Sequence, residues 1–175
     1  MPGCGEEEAV SKLWDAIFRA VRADTPDPVA AWEAHRRSFE EKIAFLNEMQ
    51  FDRIHYQNAL GTDITLGMPK QHRWAGGGDR TVDGVYFFPN MPTEEIFCSP
   101  DKDRVDGVVY SALPLNYQGN LLDRFSLTFE QGRITGYSAE QGYDTLRELV
   151  ETDEGSHHLG ELALIPKQSP ISEMG

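Results

Sequence analysis

The residues that decide the fold are 125–137, with the sequence FSLTFEQGRITGY. Two short runs of alternating apolar and polar side chains, Phe125–Phe129 and Arg133–Tyr137, flank Glu130-Gln131-Gly132. Alternation with a period of two is typical of strands, and the glycine supplies the positive φ that a tight turn needs. The stretch therefore predicts a β-hairpin of two adjacent antiparallel strands.

Further strands are predicted on both sides of this hairpin. Alternation at Arg53–Asn58 and Thr62–Leu66 indicates two strands joined by a short turn. Short apolar runs predict three more, at Gly84–Phe88, Val105–Ala112 and Glu161–Ile165.

Two helices precede the strands, and a third follows the hairpin. The first begins near Glu6 and has apolar residues at three- and four-residue steps, which indicates an amphipathic helix. The second is predicted over Val29–Gln50, and the third over Tyr143–Thr152. The apolar positions of the first helix are Val10, Leu13, Trp14, Ile17 and Val21.

This order predicts an α+β fold, in which an amino-terminal helical pair precedes a mixed, largely antiparallel β-sheet or partial barrel with one further helix. We expect residues 1–50 to form the helical hairpin and residues 51–175 the β-rich part, together as one structural unit.

Composition excludes several classes of function. The chain has 175 residues, 39% of them hydrophobic, and a formal net charge of −13. This charge argues against binding to nucleic acid, whose phosphates it would repel, and disfavours anionic membrane surfaces. No apolar run reaches the length of a membrane span. Cys4 and Cys98 are the only cysteines, so a cytoplasmic location is the default expectation.

Acidic residues beside apolar segments are the strongest site candidates. Glu94 and Glu95 follow the proline-stiffened segment Pro89–Thr93, and adjacent residues in an extended chain point to opposite sides. Glu161 directly precedes the apolar run Leu162–Ile165. These carboxylates are candidate metal ligands. An acidic turn, a salt bridge and a metal-free acid–base pair remain open alternatives.

The other reactive residue types have simpler structural explanations. Neighbouring histidines rarely converge on one metal ion. The glycine run lacks the lysine of a phosphate loop. Neither the cysteine nor the serines have an activating partner nearby in sequence. These residues are His55, His72, Gly76-Gly77-Gly78, Cys98, Ser111, Ser126 and His157-His158.

Longer stretches carry a more specific signal. They are PNMPTEEIF at 89–97, GNLLD at 119–123, FSLTFEQGR at 125–133, AEQGY at 139–143, TDEG at 152–155, LGELALIP at 159–166 and SPIS at 169–172. Together, and over essentially the whole chain, these motifs resemble the aminopeptidase T, PepS and AmpS family of metallo-aminopeptidases.

The resemblance implies a cytoplasmic, homodimeric enzyme that releases amino-terminal residues from a peptide substrate with two divalent metal ions, cobalt or zinc. It places metal ligands at Glu95 and Glu161, the second as the bridging carboxylate. Their spacing (161 − 95 = 66) matches the family pattern and selects Glu95 over Glu94.

One departure from the family limits this expectation. The family's two histidine ligands, its aspartate ligand and its catalytic tyrosine lie beyond the last residue of this chain, and its amino-terminal domain would precede Met1. We therefore expect a segment of a longer enzyme that is inactive alone and binds metal weakly or not at all. The alternative is a truncated, non-catalytic module that acts only through self-association.

Overall fold

The computed structural model describes residues 3–173. They form two compact units, each assembled from separate stretches of the chain. The first unit combines the residues up to Glu48 with Trp74–Phe97 and the residues from Ala163 onward. The second consists of Met49–Arg73 and Cys98–Leu162. The sequence-based division into residues 1–50 and 51–175 stays a prediction.

The elements confirm the α+β class that the sequence predicts. Two short 3₁₀ turns, Gly155–His157 and Pro170–Glu173, accompany the helices and strands. In chain order these are α1 (Glu6–Ala20), α2 (Pro28–Met49), β1 (Arg53–Gln57), β2 (Asp63–Gly67), β3 (Ala75–Gly76), β4 (Asp79–Arg80), β5 (Tyr86–Phe87), β6 (Ile96–Cys98), β7 (Val105–Tyr110), β8 (Leu115–Tyr117), β9 (Asn120–Glu130), β10 (Arg133–Gln141), α3 (Tyr143–Val150) and β11 (Leu162–Leu164).

Local signals account for the helices α1 and α2 of the first unit. The first turn of α1 carries Glu6, Glu7 and Glu8, where the helix macrodipole favours negative charge. α2 begins at Pro28, whose fixed φ suits the first helical position. The Asp27 carboxylate caps α2 by accepting a hydrogen bond from the backbone N–H of Ala30 at 3.0 Å.

The apolar face of α1 forms with the predicted period, but the described part of the chain does not bury it. Leu13 is 53% exposed and Trp14 is 52% exposed, and Val10 and Ile17 are also exposed. Periodicity predicts which side of a helix is apolar, whereas burial requires a partner surface.

Two small sheets belong wholly or mostly to the first unit. One has the strand order β11-β6-β3, with β6 antiparallel to β3. The other pairs β4 with β5. The strand predicted at Gly84–Phe88 is wrong in extent, because only Tyr86–Phe87 pairs and its partner β4 is just two residues long. The predicted strand Glu161–Ile165 likewise shortens to Leu162–Leu164.

The second unit is built on a six-stranded antiparallel sheet. Its order is β1-β2-β7-β9-β10, and β8 pairs with β9. The predicted hairpin is confirmed, since Glu130 lies opposite Arg133 and the turn residues Gln131 and Gly132 have φ of 50° and 82°. α3 contacts β9 and β10. The buried side chains of this unit include Ile64, Leu66, Met68, Val105, Leu122, Phe129, Ile134, Leu146 and Val150.

Among residues 3–173, none of the helices combines the length and the apolar character that a membrane crossing requires.

The turn of the β9–β10 hairpin gives the first prediction. A Cβ atom at Gly132 would overlap the carbonyl oxygen of Lys102, and its φ of +82° is strained for any other residue. We expect Gly132→Ala to lower the free energy of unfolding by at least about 2 kcal/mol, measured by urea unfolding. Gly160→Ala is the control, with nothing within 4 Å of its Cβ, and should cost less than about 0.5 kcal/mol. Equal losses would contradict this role of Gly132.

Candidate functional site

The two adjacent glutamates of the first unit face opposite environments. Glu94 is buried, with 5% of its surface exposed, whereas Glu95 is exposed. Both lie just before β6, and burial alternates from Glu94 through Glu95 into that strand, as it does where successive side chains point to opposite sides. The alternation that the sequence predicts at this pair is present, and Glu94 takes the inward position.

Arg22 neutralises the buried carboxylate of Glu94. Its Nη1 donates to Oε1 at 2.6 Å and its Nη2 to Oε2 at 3.2 Å. The Arg22 side chain is 15% exposed and that of Glu94 only 4%. A two-pronged, charge-assisted pair of this kind is among the stronger hydrogen-bonded arrangements in proteins. The carboxylate of Glu94 is therefore fully committed to a structural contact.

Arg22 is itself held at the corner between α1 and α2. Its backbone lies in the left-handed region with φ of 57°. The Thr25 hydroxyl donates to its carbonyl oxygen at 3.0 Å, and its guanidinium lies 5.5 Å from the centre of the Trp32 ring. The Trp32 indole in turn donates to the carbonyl of Val21 at 2.8 Å.

His35 of α2 holds the residue that precedes the pair. Its Nε2 lies 2.7 Å from the Thr93 carbonyl oxygen, which can only accept, so Nε2 carries the proton. The same nitrogen is 3.6 Å from Oε1 of Glu94. Burial is the main reason that the pKa of His35 lies below its ordinary value, although the Thr93 carbonyl opposes the shift.

A small cavity of about 210 Å³ adjoins this cluster. Its lining includes the polar side chains Ser38, Lys42 and Ser169 in addition to Arg22, His35 and Glu94. It is a polar recess behind the buried carboxylate, and Glu95 is not part of its wall.

The carboxylates of Glu95 and Glu161 differ from that of Glu94 in exposure and pairing. Both are exposed, and in the described part of the chain no hydrogen bond or ion pair engages either carboxylate. Glu95 directly precedes β6, and Glu161 directly precedes β11. The Glu95 backbone also packs tightly against Gly76 of β3, where an added Cβ would overlap the Glu95 carbonyl oxygen.

Three of the four histidines that the sequence singles out have structural partners, whereas Nδ1 of His157 is buried without one in the described part of the chain. His158 Nδ1 lies within 3.1 Å of the carbonyl oxygens of Lys102 and Gly132. His72 is buried and its Nδ1 lies 3.0 Å from the Pro69 carbonyl oxygen. His55 Nε2 lies 2.8 Å from Oδ1 of Asp63, across the β1–β2 pair.

The nucleophile candidates are likewise engaged in the fold. Cys98 is buried, and burial raises the pKa of its thiol, which opposes formation of a reactive thiolate. The Ser111 hydroxyl accepts a hydrogen bond from the backbone N–H of Phe125 at 3.0 Å. Ser126 and Ser138 hydrogen-bond to each other at 2.9 Å. None of these contacts is a nucleophile–base pair.

Arg22 and His35 are the residues that sequence reasoning misses. Arg22 lies 72 positions before Glu94, and His35 lies 58 positions before Thr93. No local periodicity or spacing joins such distant positions. The available signal is weak: a buried carboxylate beside an apolar strand requires a cation somewhere in the fold.

Comparison with known proteins gives the family. The model of the thermophilic metalloprotease (M29) family matches residues 1–175. The chain is 54% identical to Aminopeptidase AmpS of Bacillus subtilis over 172 residues, which are 98% of this chain and 42% of that protein. It is 48% identical to Aminopeptidase T of Thermus aquaticus over 174 residues, which are 99% of this chain and 42% of that protein.

Comparison with a solved structure gives the same family relationship. Wild-type AmpT from Thermus thermophilus superposes with a TM-score of 0.93 at 44% identity, covering 100% of this chain and 42% of that one. The chain therefore belongs to the thermophilic metalloprotease (M29) family, which confirms the resemblance noted in its sequence. It spans about two fifths of the length of the relatives that it matches.

A metallopeptidase family implies a divalent metal ion, and the donor chemistry of the two free carboxylates fits such an ion in part. Carboxylate oxygens are suitable donors for zinc and cobalt, and Glu95 and Glu161 offer them unpaired. Within residues 3–173, no group of three or more His, Cys, Asp or Glu side chains is placed to hold a metal. Each glutamate thus offers a donor of a suitable type, without a set of three such side chains around it among these residues.

The Arg22–Glu94 pair gives the second prediction. We expect Arg22→Met to lower the free energy of unfolding by about 3 kcal/mol, because it leaves a buried carboxylate without a partner. Arg133→Met is the matched control, since it breaks the exposed pair with Glu154 and should cost less than about 1 kcal/mol. Urea unfolding of both variants measures the difference, and equal costs would show that the buried pair is not special.

Proposed function

We propose that this chain is part of a metal-dependent aminopeptidase that releases amino-terminal residues from peptides, and that Glu95 and Glu161 are metal ligands. One observation carries the assignment of the ligands: these two carboxylates are exposed and unpaired in the described chain, while the neighbouring Glu94 is locked to Arg22. Family membership and the names of the relatives support the activity.

Each proposed ligand has a distinct role in this scheme. Glu161 is the candidate for a carboxylate that bridges two ions, and Glu95 for a ligand of one of them. When bound, two divalent ions, cobalt or zinc, would polarise the scissile carbonyl and lower the pKa of an attached water. The contribution of this chain is to present the two carboxylates free of competing ion pairs.

The proposal also covers the oligomeric state and the cellular location of the full protein. We infer a homodimer in a reducing cytoplasm. Cys4 and Cys98 are both free thiols, which is compatible with such a compartment.

The 175 residues alone should not hydrolyse peptides, because two glutamates cannot hold two ions and orient an attacking water. We expect no cobalt-stimulated cleavage of an aminoacyl-arylamide by the purified chain above the rate of buffer with Co²⁺. Sustained turnover that a chelator abolishes would mean that these residues contain a complete active site.

A chimera tests the ligands in a complete enzyme. We expect activity when residues 3–173 replace the matching stretch of Aminopeptidase T from Thermus thermophilus, with which the chain is 47% identical. Glu95→Gln or Glu161→Gln in the chimera should lower kcat/KM at least about 100-fold, because each removes a charged ligand. Removing metal with a chelator should have a comparable effect.

Glu33→Gln is the matched control for the chimera. It changes an exposed glutamate of α2 that pairs with Arg36, so kcat/KM should stay within about twofold. Full activity of the Glu95→Gln chimera would remove Glu95 from the metal site.

A second candidate function is a non-catalytic module that self-associates. The exposed apolar face of α1, with Leu13 and Trp14 about half exposed, is the observation that favours it. Concentration-dependent dimerisation of the chain, lost in Leu13→Glu, together with an inactive but folded chimera, would support this alternative over the enzyme.

A further inference from the structure

The residue before Glu95 is buried and held by two hydrogen bonds from Arg22. We propose that Arg22 and His35 are positioning residues for Glu95: they fix the backbone at Glu94 and Thr93, and so set the direction of the Glu95 carboxylate toward its metal. This inference rests on the proposed function, since it gives Glu95 a ligand's role.

The first contact in this chain of constraints is the Arg22–Glu94 pair. Two separate N–H···O bonds, at 2.6 and 3.2 Å, fix both the place and the plane of the Glu94 carboxylate. Because only 4% of that side chain is exposed, releasing it from Arg22 would leave a charge in a poorly solvated place. Glu94 therefore stays turned inward, and its neighbour Glu95 stays turned outward.

The second contact acts on the main chain itself. The Nε2–H group of His35 donates to the Thr93 carbonyl oxygen at 2.7 Å, two residues before Glu95. The His35 ring is held in turn by an edge-to-face contact with Phe39, with 4.7 Å between ring centres. The peptide plane between Thr93 and Glu94 is thus anchored to α2.

The third contact lies on the other side of Glu95. β6 begins at the next residue, with Ile96 opposite Gly76 of β3. The Glu95 carbonyl oxygen occupies the space where a Cβ of residue 76 would be. With anchors at Thr93, Glu94 and Ile96, the Glu95 backbone has little freedom to rotate, and its side chain leaves from a fixed point.

Such an arrangement acts on metal affinity by preorganisation. A ligand that is already oriented loses less conformational freedom when the ion binds, and groups that orient ligands commonly change metal affinity by 10- to 100-fold. Neither Arg22 nor His35 needs to touch the ion to have this effect.

Titration of the ¹⁵N-labelled chain with Co²⁺ alone tests the proposal without enzymatic activity. The paramagnetic ion should broaden or shift backbone amide signals near residue 95, and Glu95→Gln should abolish this response. Arg22→Lys keeps the charge beside Glu94 but loses the two-pronged contact, so the apparent Kd of Co²⁺ at Glu95 should rise roughly tenfold. Arg133→Lys, in an exposed pair, should leave it unchanged.

A second pair of variants separates positioning from stability. His35→Leu removes the donor to Thr93 and should weaken Co²⁺ binding at Glu95, whereas His35→Gln can still donate and should restore most of it. If Arg22→Lys fails to fold, as judged by the dispersion of its amide signals, the two His35 variants decide the question.

The outcomes distinguish the ligand role of Glu95 from the positioning role of Arg22 and His35. If the unchanged chain shows no Co²⁺ response near residue 95, or if Glu95→Gln leaves that response intact, Glu95 does not act as a ligand in this chain, and its positioning falls with it. If Glu95→Gln abolishes the response while Arg22→Lys and His35→Leu are folded and bind Co²⁺ like the unchanged chain, the ligand stands and the positioning role is overturned.

Discussion

The constraint on which the candidate site depends is the buried ion pair between Arg22 and Glu94. A carboxylate that is only 4% exposed is costly unless a cation and hydrogen bonds compensate for the lost water. The guanidinium of Arg22 meets both of its oxygens, which makes the inward position of Glu94 tolerable. The pair also ties the corner between two helices to the segment that leads into β6.

The orientation of the next residue follows from this pair by geometry alone. In an extended segment a side chain cannot share the direction of its neighbour, so the inward Glu94 requires an outward Glu95. A one-residue slip of this segment would exchange the two carboxylates, and Arg22 would then face Glu95. The ion pair thus decides which of the two carboxylates stays exposed, even though the residues are identical in type and adjacent in sequence.

The sequence predicts well those helices and strands whose formation depends on local signals. The hairpin at 125–137 follows from alternation and a glycine turn, and its strands are longer than predicted. The helix α2 follows from a proline start, and each of its ends lies within one or two residues of the predicted end. The ion pair between Arg22 and Glu94 has no local signal, because 72 positions separate its members. The exposure of α1 could not be predicted either, since periodicity specifies an apolar face and not what covers it. The family resemblance, and not the chemistry of the residue, selects Glu95 over Glu94 in the sequence.

Glu95 is distinguished from the other exposed carboxylates by more than the absence of an ion pair. With 29 acidic and 16 basic side chains, many carboxylates must lack a basic partner. What sets Glu95 apart is therefore the rigidity of its backbone, which Thr93, Glu94 and Gly76 anchor on three sides.

Glu161 differs in this respect. It follows Gly160, around which an added side-chain atom would meet nothing within 4 Å, and it directly precedes β11. If both are ligands, Glu95 offers a preset oxygen donor, while the carboxylate of Glu161 loses more freedom when it binds. A carboxylate that can still adjust is the better choice to bridge two ions, because a bridge has to satisfy two metal positions at once, whereas a ligand of one ion gains most from being fixed in advance.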